Sequence, residues 1–183
     1  MRTNFGAKPW FYPLPVLIVG SYNPDGTADA MNAAWGGLYD ADKVVLCLSR
    51  GHRTTSNILE RKAFTVSFAD AAHTIPADYV GMVSGNNEPD KMKKAGFHTS
   101  KASTVDAPLI DELPVALECK LLKMNEDGNI IGQIVNVSVD DTVLNAKGQI
   151  DPDVFRPSPS TRPTTSTAPW ARRWATPSGT AAS

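Results

Sequence analysis

Ser49-Arg50-Gly51-His52-Arg53-Thr54-Thr55-Ser56-Asn57-Ile58 sets two arginines and several hydroxyls in one short stretch. It follows an apolar run, Val44 to Ser49, and leads into a helical pattern. Two guanidinium groups, hydroxyl donors and the free N–H groups of a helix start make an anion site, and a phosphate monoester is its natural guest. The same residues also suit an N-capped helix with solvated arginines. A second stretch, Met31-Asn32-Ala33-Ala34-Trp35-Gly36-Gly37, is small apart from Met31, Asn32 and Trp35. Small residues let a planar ligand lie against the backbone, and the asparagine amide both donates and accepts. On composition alone a strand end followed by a glycine turn accounts for it better, and Trp35 suits a core as well as a ligand wall. The third stretch runs Val80-Gly81-Met82-Val83-Ser84-Gly85, then Asp90-Lys91-Met92-Lys93-Lys94. There Lys91 can reach a phosphate or a ring edge, whereas Lys93 and Lys94 solvate a helix face.

The elements that must hold these stretches read mainly as strands. Val16 to Tyr22 is a β-branched run ending at Asn23-Pro24-Asp25-Gly26, a turn that pairs it with Thr27 to Trp35. Val44 to Ser49 reads as a buried strand and Phe64 to Phe68 as another. Val115 to Met124 and Ile130 to Val139 flank Asn125-Glu126-Asp127-Gly128, the pattern of a long hairpin. Helices are expected over Thr54 to Lys62, with Thr or Ser as cap, over Thr74 to Val83 and over Asp90 to Ala95. Closely spaced strands with inserted helices predict a closed or nearly closed antiparallel barrel.

Several function classes are excluded or disfavoured. The 183 residues suffice for one domain with a core, 42% hydrophobic and 20% charged. A formal net charge of −1 gives no general attraction to nucleic acid or an acidic membrane. No apolar run approaches the ~20 residues of a membrane span, and the start, MRTNFGAKPW, lacks a signal-peptide core, so a cytoplasmic protein is expected. Cys47 and Cys119 lie in apolar runs and read as two reduced, buried thiols. No glycine-rich dinucleotide fingerprint follows a strand, and no Walker loop or Cys-x-x-Cys pair occurs. His52, His73 and His98 are not at metal-ligand spacing with the cysteines, so no metal site is expected.

Taken in order, PLPVLIVGSY, MNAAWGG, LSRGHRTTSNI, FTVSF, YVGMVSGNNEPDKMKKAGF, DAPLIDELPVALEC and IIGQIVNV resemble the flavin reductase-like, FMN-binding split-barrel family, in particular its flavoredoxin branch. The resemblance covers about residues 8 to 157. It implies a mainly β split barrel of antiparallel, Greek-key type, FMN as cofactor, and a homodimer with the flavin near a two-fold interface. It implies that Asn32, Ala33, Ala34 and Trp35 line the isoalloxazine ring. Ser49, Arg53 and Thr55 would hold the phosphate and ribityl chain, with Arg50 and Thr54 beside them, and Lys91 would contact the flavin. Ser67 stands where relatives often carry asparagine, and Asn129 where they often carry histidine, so neither role transfers. The implied activity is NAD(P)H:flavin oxidoreduction. The alternatives are an electron carrier that exchanges electrons with a redox protein, and a related split-barrel oxidase or deazaflavin binder.

From Ser158 to Ser183 the chain turns to Ser, Thr, Pro, Ala, Arg and Trp without hydrophobic period, the composition of a disordered tail. With permissible codons, the neighbouring reading frame spells VTFDPTNNVYRALGEKVGNAFRDGGK, which resembles the family's C-terminus. Both Trp-Ala pairs, Trp170-Ala171 and Trp174-Ala175, force glycine in that frame. The sequence therefore reads as a domain over 1–157 and a tail over 158–183 that is a frameshift product, the alternative being a true low-complexity extension. An unbroken frame across the Arg156–Ser158 codons on resequencing overturns the frameshift reading.

Overall fold

The computed structural model describes residues 1–11, 13–33 and 35–160. The strands are β1 (Leu14–Pro15), β2 (Leu17–Tyr22), β3 (Ala28–Ala33), β4 (Gly36–Asp40), β5 (Lys43–Cys47), β6 (Ala63–Phe68), β7 (Thr99–Lys101), β8 (Pro108–Ile110), β9 (Val115–Met124), β10 (Asn129–Val139) and β11 (Pro159–Ser160). The helices are α1 (Arg53–Arg61), α2 (Thr74–Met82), α3 (Lys91–Ala95) and α4 (Pro152–Phe155), with a 3-10 turn over Asp141–Val143.

One seven-stranded sheet in the order β3-β2-β6-β9-β10-β5-β4 dominates, and every pairing in it is antiparallel. Its two edges, β3 and β4, are consecutive in the chain and separated only by residues 34–35. Three peptide links span at most about 11 Å, whereas the edges of a flat seven-stranded sheet stand about 29 Å apart. The sheet must therefore curl until its edges approach each other. The result is the curled antiparallel half-barrel of a split-barrel protein, as the strand pattern implies.

The curl gives the sheet two buried faces. On β2, Leu17 and Val19 join the inner cluster with Val44, Leu46, Ile58, Phe64, Val66 and Ile130. Val16 and Ile18 point the other way, into a cluster with Ala77, Val80, Met92 and Phe97 beneath α2 and α3. Both faces are covered here, which is why the run from Val16 to Val19 is continuously apolar. The turns are as the sequence predicts. Gly26 and Gly128 adopt φ of +86° and +88°, and their N–H groups donate to Asn23 O and Asn125 O at 2.9 and 3.0 Å.

Four details differ from the sequence reading. Gly36-Gly37 opens the edge strand β4 instead of forming a turn. The α1 cap is His52, which makes no side-chain cap, and the threonines lie inside the helix with their hydroxyls directed elsewhere. Cys47 is exposed while Cys119 is buried. On β5 the inward residues are Val44 and Leu46, so strict alternation turns Cys47 outward. Finally, Ser158 N donates to Ala69 O at 2.7 Å and Pro159–Ser160 pair with Leu14–Pro15, so ordered pairing continues past 157. The rest of the expected tail, 161–183, lies outside the described residues.

Glu118 shows how a loop is tied to this sheet. It is 0% exposed on β9 and accepts from Thr104 N (2.7 Å), Thr104 Oγ1 (2.6 Å), Ser103 Oγ (3.1 Å) and Asn136 Nδ2 (2.8 Å). Burial is the largest single influence and opposes ionisation, yet these hydrogen bonds together outweigh it and hold the carboxyl below the ordinary glutamate range. A depressed folded-state value stabilises the fold above the unfolded glutamate's pKa, and that stability is lost as pH falls through the folded value. Glu118→Gln removes the charge, so at pH 7 it is expected to cost about 2 kcal/mol and lower Tm by about 4–8 °C. The difference from wild type should shrink as pH falls below 4. Melting curves that show a constant difference from pH 7 to pH 3 contradict this account.

Candidate functional site

The three stretches with chemical potential converge at one end of the half-barrel. Trp35 O accepts from Cys47 N at 2.9 Å, which ties the β3–β4 corner to the end of β5. Asp29 of β3 accepts from Thr54 Oγ1 of α1 at 2.7 Å. Asn86 Nδ2 donates to Gly51 O at 3.1 Å, joining the third stretch to the arginine corner. Gly81 of α2 lies so close to Asn32 that a Cβ there would stand 2.7 Å from the Asn32 Cβ.

The arginine corner has the features of an anion site. Ser49 O accepts from Thr55 Oγ1 at 2.8 Å and from His52 N at 3.2 Å, folding the loop tightly back on the helix start. The first turn of α1 contains no acidic residue and no capping side chain. Its N–H groups are therefore open to an anion, and the helix dipole favours one. Ser49 and Arg50 are exposed and Arg53 is half-buried. The Arg50 stem lies beside Gly128 in the β9–β10 turn, and the Arg53 stem lies beside Gly85.

At the β3–β4 corner, Trp35 is 49% exposed, Ala33 is buried in the inner core and Asn32 is half-buried. The Asn32 amide donates to Ala77 O at a long 3.4 Å. As a sheet edge, β3 has no strand partner on its outer side. The surface offered to a planar group is thus strand backbone, the Asn32 amide and the Trp35 indole. Ala34 lies outside the described residues.

Besides Ala33, three of the expected ligand residues face inward, among them Thr55, which is 0% exposed with its hydroxyl donated to Ser49 O. Lys91 is 3% exposed, with its Nζ 3.0 Å from Asp29 Oδ1. Thr54 is 1% exposed and spends its hydroxyl on the other oxygen of the same carboxylate. Buried charge must be paired, and Asp29 supplies the partner. Asp29 itself escapes a sequence reading. Its only signal is one acid in the small-residue run Thr27-Ala28-Asp29-Ala30, opposite Ser21 in the hairpin. Ser67 is fully buried and its hydroxyl has no hydrogen-bond partner among the described residues.

Two side chains with proton or thiol chemistry lie at the corner, the exposed His52 at the cap position of α1 and the exposed Cys47 at the end of β5. Burial, with the Glu118 charge adding, pushes the Cys119 thiol up to about 12, so it is no nucleophile at neutral pH. His73 and His98 are each held by a carboxylate, Asp70 and Glu112, away from the corner. What the arrangement offers is an anion corner next to a flat, small-residue strand edge.

A curled antiparallel half-barrel with that pairing of features defines a split-barrel flavin-binding protein. Residues 11–153 match the flavin reductase like domain. The chain belongs to that family and is a flavin-binding redox protein. It is similar to the flavoredoxin of Desulfovibrio vulgaris (Miyazaki F), with 35% identity, 88% of each chain covered and a TM-score of 0.84. A flavoredoxin from Methanosarcina acetivorans shares the fold at 24% identity, with 92% and 90% of the two chains covered and a TM-score of 0.81. An uncharacterised protein of Aquifex aeolicus is 25% identical over 158 residues, 79% of each chain. No helix among the described residues is long and apolar enough to cross a membrane.

Proposed function

We propose that the chain binds FMN, with its terminal phosphate at the Ser49–Thr55 corner and its ring along Asn32–Trp35. The observation that carries this reading is the uncapped, acid-free start of α1, flanked by Arg50 and Arg53 and tied directly to the β3 edge. A dianion fits that donor set, and a neutral sugar alcohol does not use it. Solved relatives of the same fold include an FMN-binding domain of flavin reductase-like enzymes from Shewanella baltica and an FMN-binding protein from Thermus thermophilus.

FMN, once bound, supplies the redox chemistry, accepting a hydride or single electrons. The chain's residues bind and orient it. Arg50 and Arg53 neutralise the phosphate, Thr55 keeps the loop closed onto Ser49, and the Asn32 amide and Trp35 border the ring. Among the described residues at the site, none is placed as a general acid or base. The protein then works as an NAD(P)H:flavin oxidoreductase. A second reading, a carrier reduced by a redox protein partner, draws support from the 35% identity with a flavoredoxin.

A homodimer completes the proposal. Leu38 and Tyr39 of the edge strand β4 are 73% and 56% exposed. Leu38 lines an apolar cleft of about 150 Å³ together with Leu17, Gly37, Val44, Leu46 and Phe68 among others. An exposed apolar strand edge of this kind is suited to pairing with a second copy. The full-length protein is expected to be yellow, to release FMN on denaturation and to sediment as a dimer. Anaerobic bleaching by NADH or NADPH selects the reductase, and bleaching only by a reduced redox protein selects the carrier. A colourless protein that takes up no FMN rejects both.

A further inference from the structure

Four separate segments meet at the Asp29 carboxylate. Oδ2 accepts from Thr54 in the first turn of α1, and Oδ1 pairs with Lys91 at the start of α3. A Cβ at Gly85 would stand 2.5 Å from Oδ1, so the 84–90 loop crosses directly over the group. Asp29, Thr54 and Lys91 are 3%, 1% and 3% exposed. A buried ion pair contributes little net stability compared with apolar residues of the same volume, because both ions are stripped of water. Its other effect is geometric, since it fixes which groups face which.

The geometry here is specific. Elsewhere along its length α1 is held to the β2–β3 hairpin by Asn57, which donates to Ser21 Oγ and Asn23 Oδ1 at 3.1 and 3.0 Å. Near its end, Arg61 donates to Asn23 O at 2.6 Å. The Thr54–Asp29 bond is the corresponding tie at the N-terminal turn, the turn that carries the N–H groups and Arg53 of the anion corner.

We propose that Asp29, through Thr54, is a positioning residue that aims the N-terminus of α1 at the flavin phosphate, and that Lys91 serves this carboxylate and not the flavin. This rests on the FMN reading above. Binding constants of the full-length protein for FMN and for riboflavin, which has the same ring and ribityl chain without the phosphate, separate the two ideas. Thr54→Val is expected to weaken FMN binding about three- to tenfold and leave riboflavin binding unchanged, while Thr54→Ser, which keeps the hydroxyl, binds FMN like wild type. The double variant D29N/K91M keeps an acceptor for Thr54 and removes both charges, so its FMN affinity should stay within about twofold of wild type.

Wild type preferring FMN, with Thr54→Val unchanged or losing both ligands alike, overturns the positioning role alone. A D29N/K91M protein that melts like wild type but loses FMN and riboflavin together means that Lys91 touches the flavin, and also overturns it. Wild type with no preference for FMN over riboflavin overturns the phosphate reading and this inference with it.

Discussion

Arg53→Gln is expected to weaken FMN binding by about ten- to a hundredfold and to leave riboflavin binding almost unchanged. A hydrogen bond from a charged donor is worth about 1.5–3 kcal/mol, and about 1.4 kcal/mol is a factor of ten. Arg53 is the better placed of the two corner arginines. It sits at the first position of α1, half-buried, with its stem confined by the close approach of Gly85. A confined side chain loses less entropy on gripping a ligand. Arg50 is exposed, so its guanidinium is more solvated and Arg50→Gln should cost less, about three- to fivefold. Arg53→Lys keeps the charge but not the planar fork and should fall between wild type and Arg53→Gln. Fluorescence titrations at fixed ionic strength measure the FMN and riboflavin constants of all four proteins. Equal losses for FMN and riboflavin would show that Arg53 shapes the fold of the corner without meeting a phosphate.

How much of this corner is legible in sequence depends on what each residue does. The arginines and hydroxyls of 49–55 stand out as a donor-rich loop before a helix, although an N-capped helix with solvated arginines has the same composition. The hairpin turns do too, since Asn-Pro-Asp-Gly and Asn-Glu-Asp-Gly place glycine where φ must be positive. β4 is different. Gly36-Gly37 has the composition of a turn, and only the curl of the sheet, which brings the β3 end beside β5, makes it a strand. α1 hides its buried face for a related reason. Thr54, Thr55 and Asn57 are buried polar residues that bind the hairpin and the loop, so the helix lacks a plain apolar stripe. Lys91 is recognisable as a residue that matters, yet its partner Asp29 lies on a distant strand. One lysine and one acid without fixed spacing carry no pattern, and only the fold brings them together. The exposed Cys47 is the reverse case: an apolar-looking run in which Val44 and Leu46 face the core and Cys47, the last residue of β5, faces out.

The largest stability effects should fall where a ring from one strand fills the space over a glycine on another. Phe64 is fully buried in the inner cluster. Its ring occupies the space above Gly132, where a Cβ would collide with Phe64 Cζ and Cε1. The register of β10 against β9 shifts between Ile131 and Gly132, and such an irregularity increases local bending. The bare glycine and the large ring are therefore one device, a missing side chain on one strand filled by a ring from another. Phe64→Ala is expected to cost about 3–5 kcal/mol in urea unfolding, through lost burial and the cavity left behind. Gly132→Ala should cost about 1–3 kcal/mol by forcing the ring aside. The informative measurement is the combination. Phe64→Leu makes room at that position, so Gly132→Ala in the leucine background should cost at least about 1 kcal/mol less than in wild type. Additivity within about 0.5 kcal/mol would mean that the ring and the glycine do not share the space. Leu48, Ala33 and Ile58 line the same cluster, and they are joined in sequence to Ser49, the Trp35 corner and α1. Loosening the core at Phe64 should thus reach the flavin site through all three segments, weakening FMN and riboflavin alike. Arg53→Gln, in contrast, separates the two ligands.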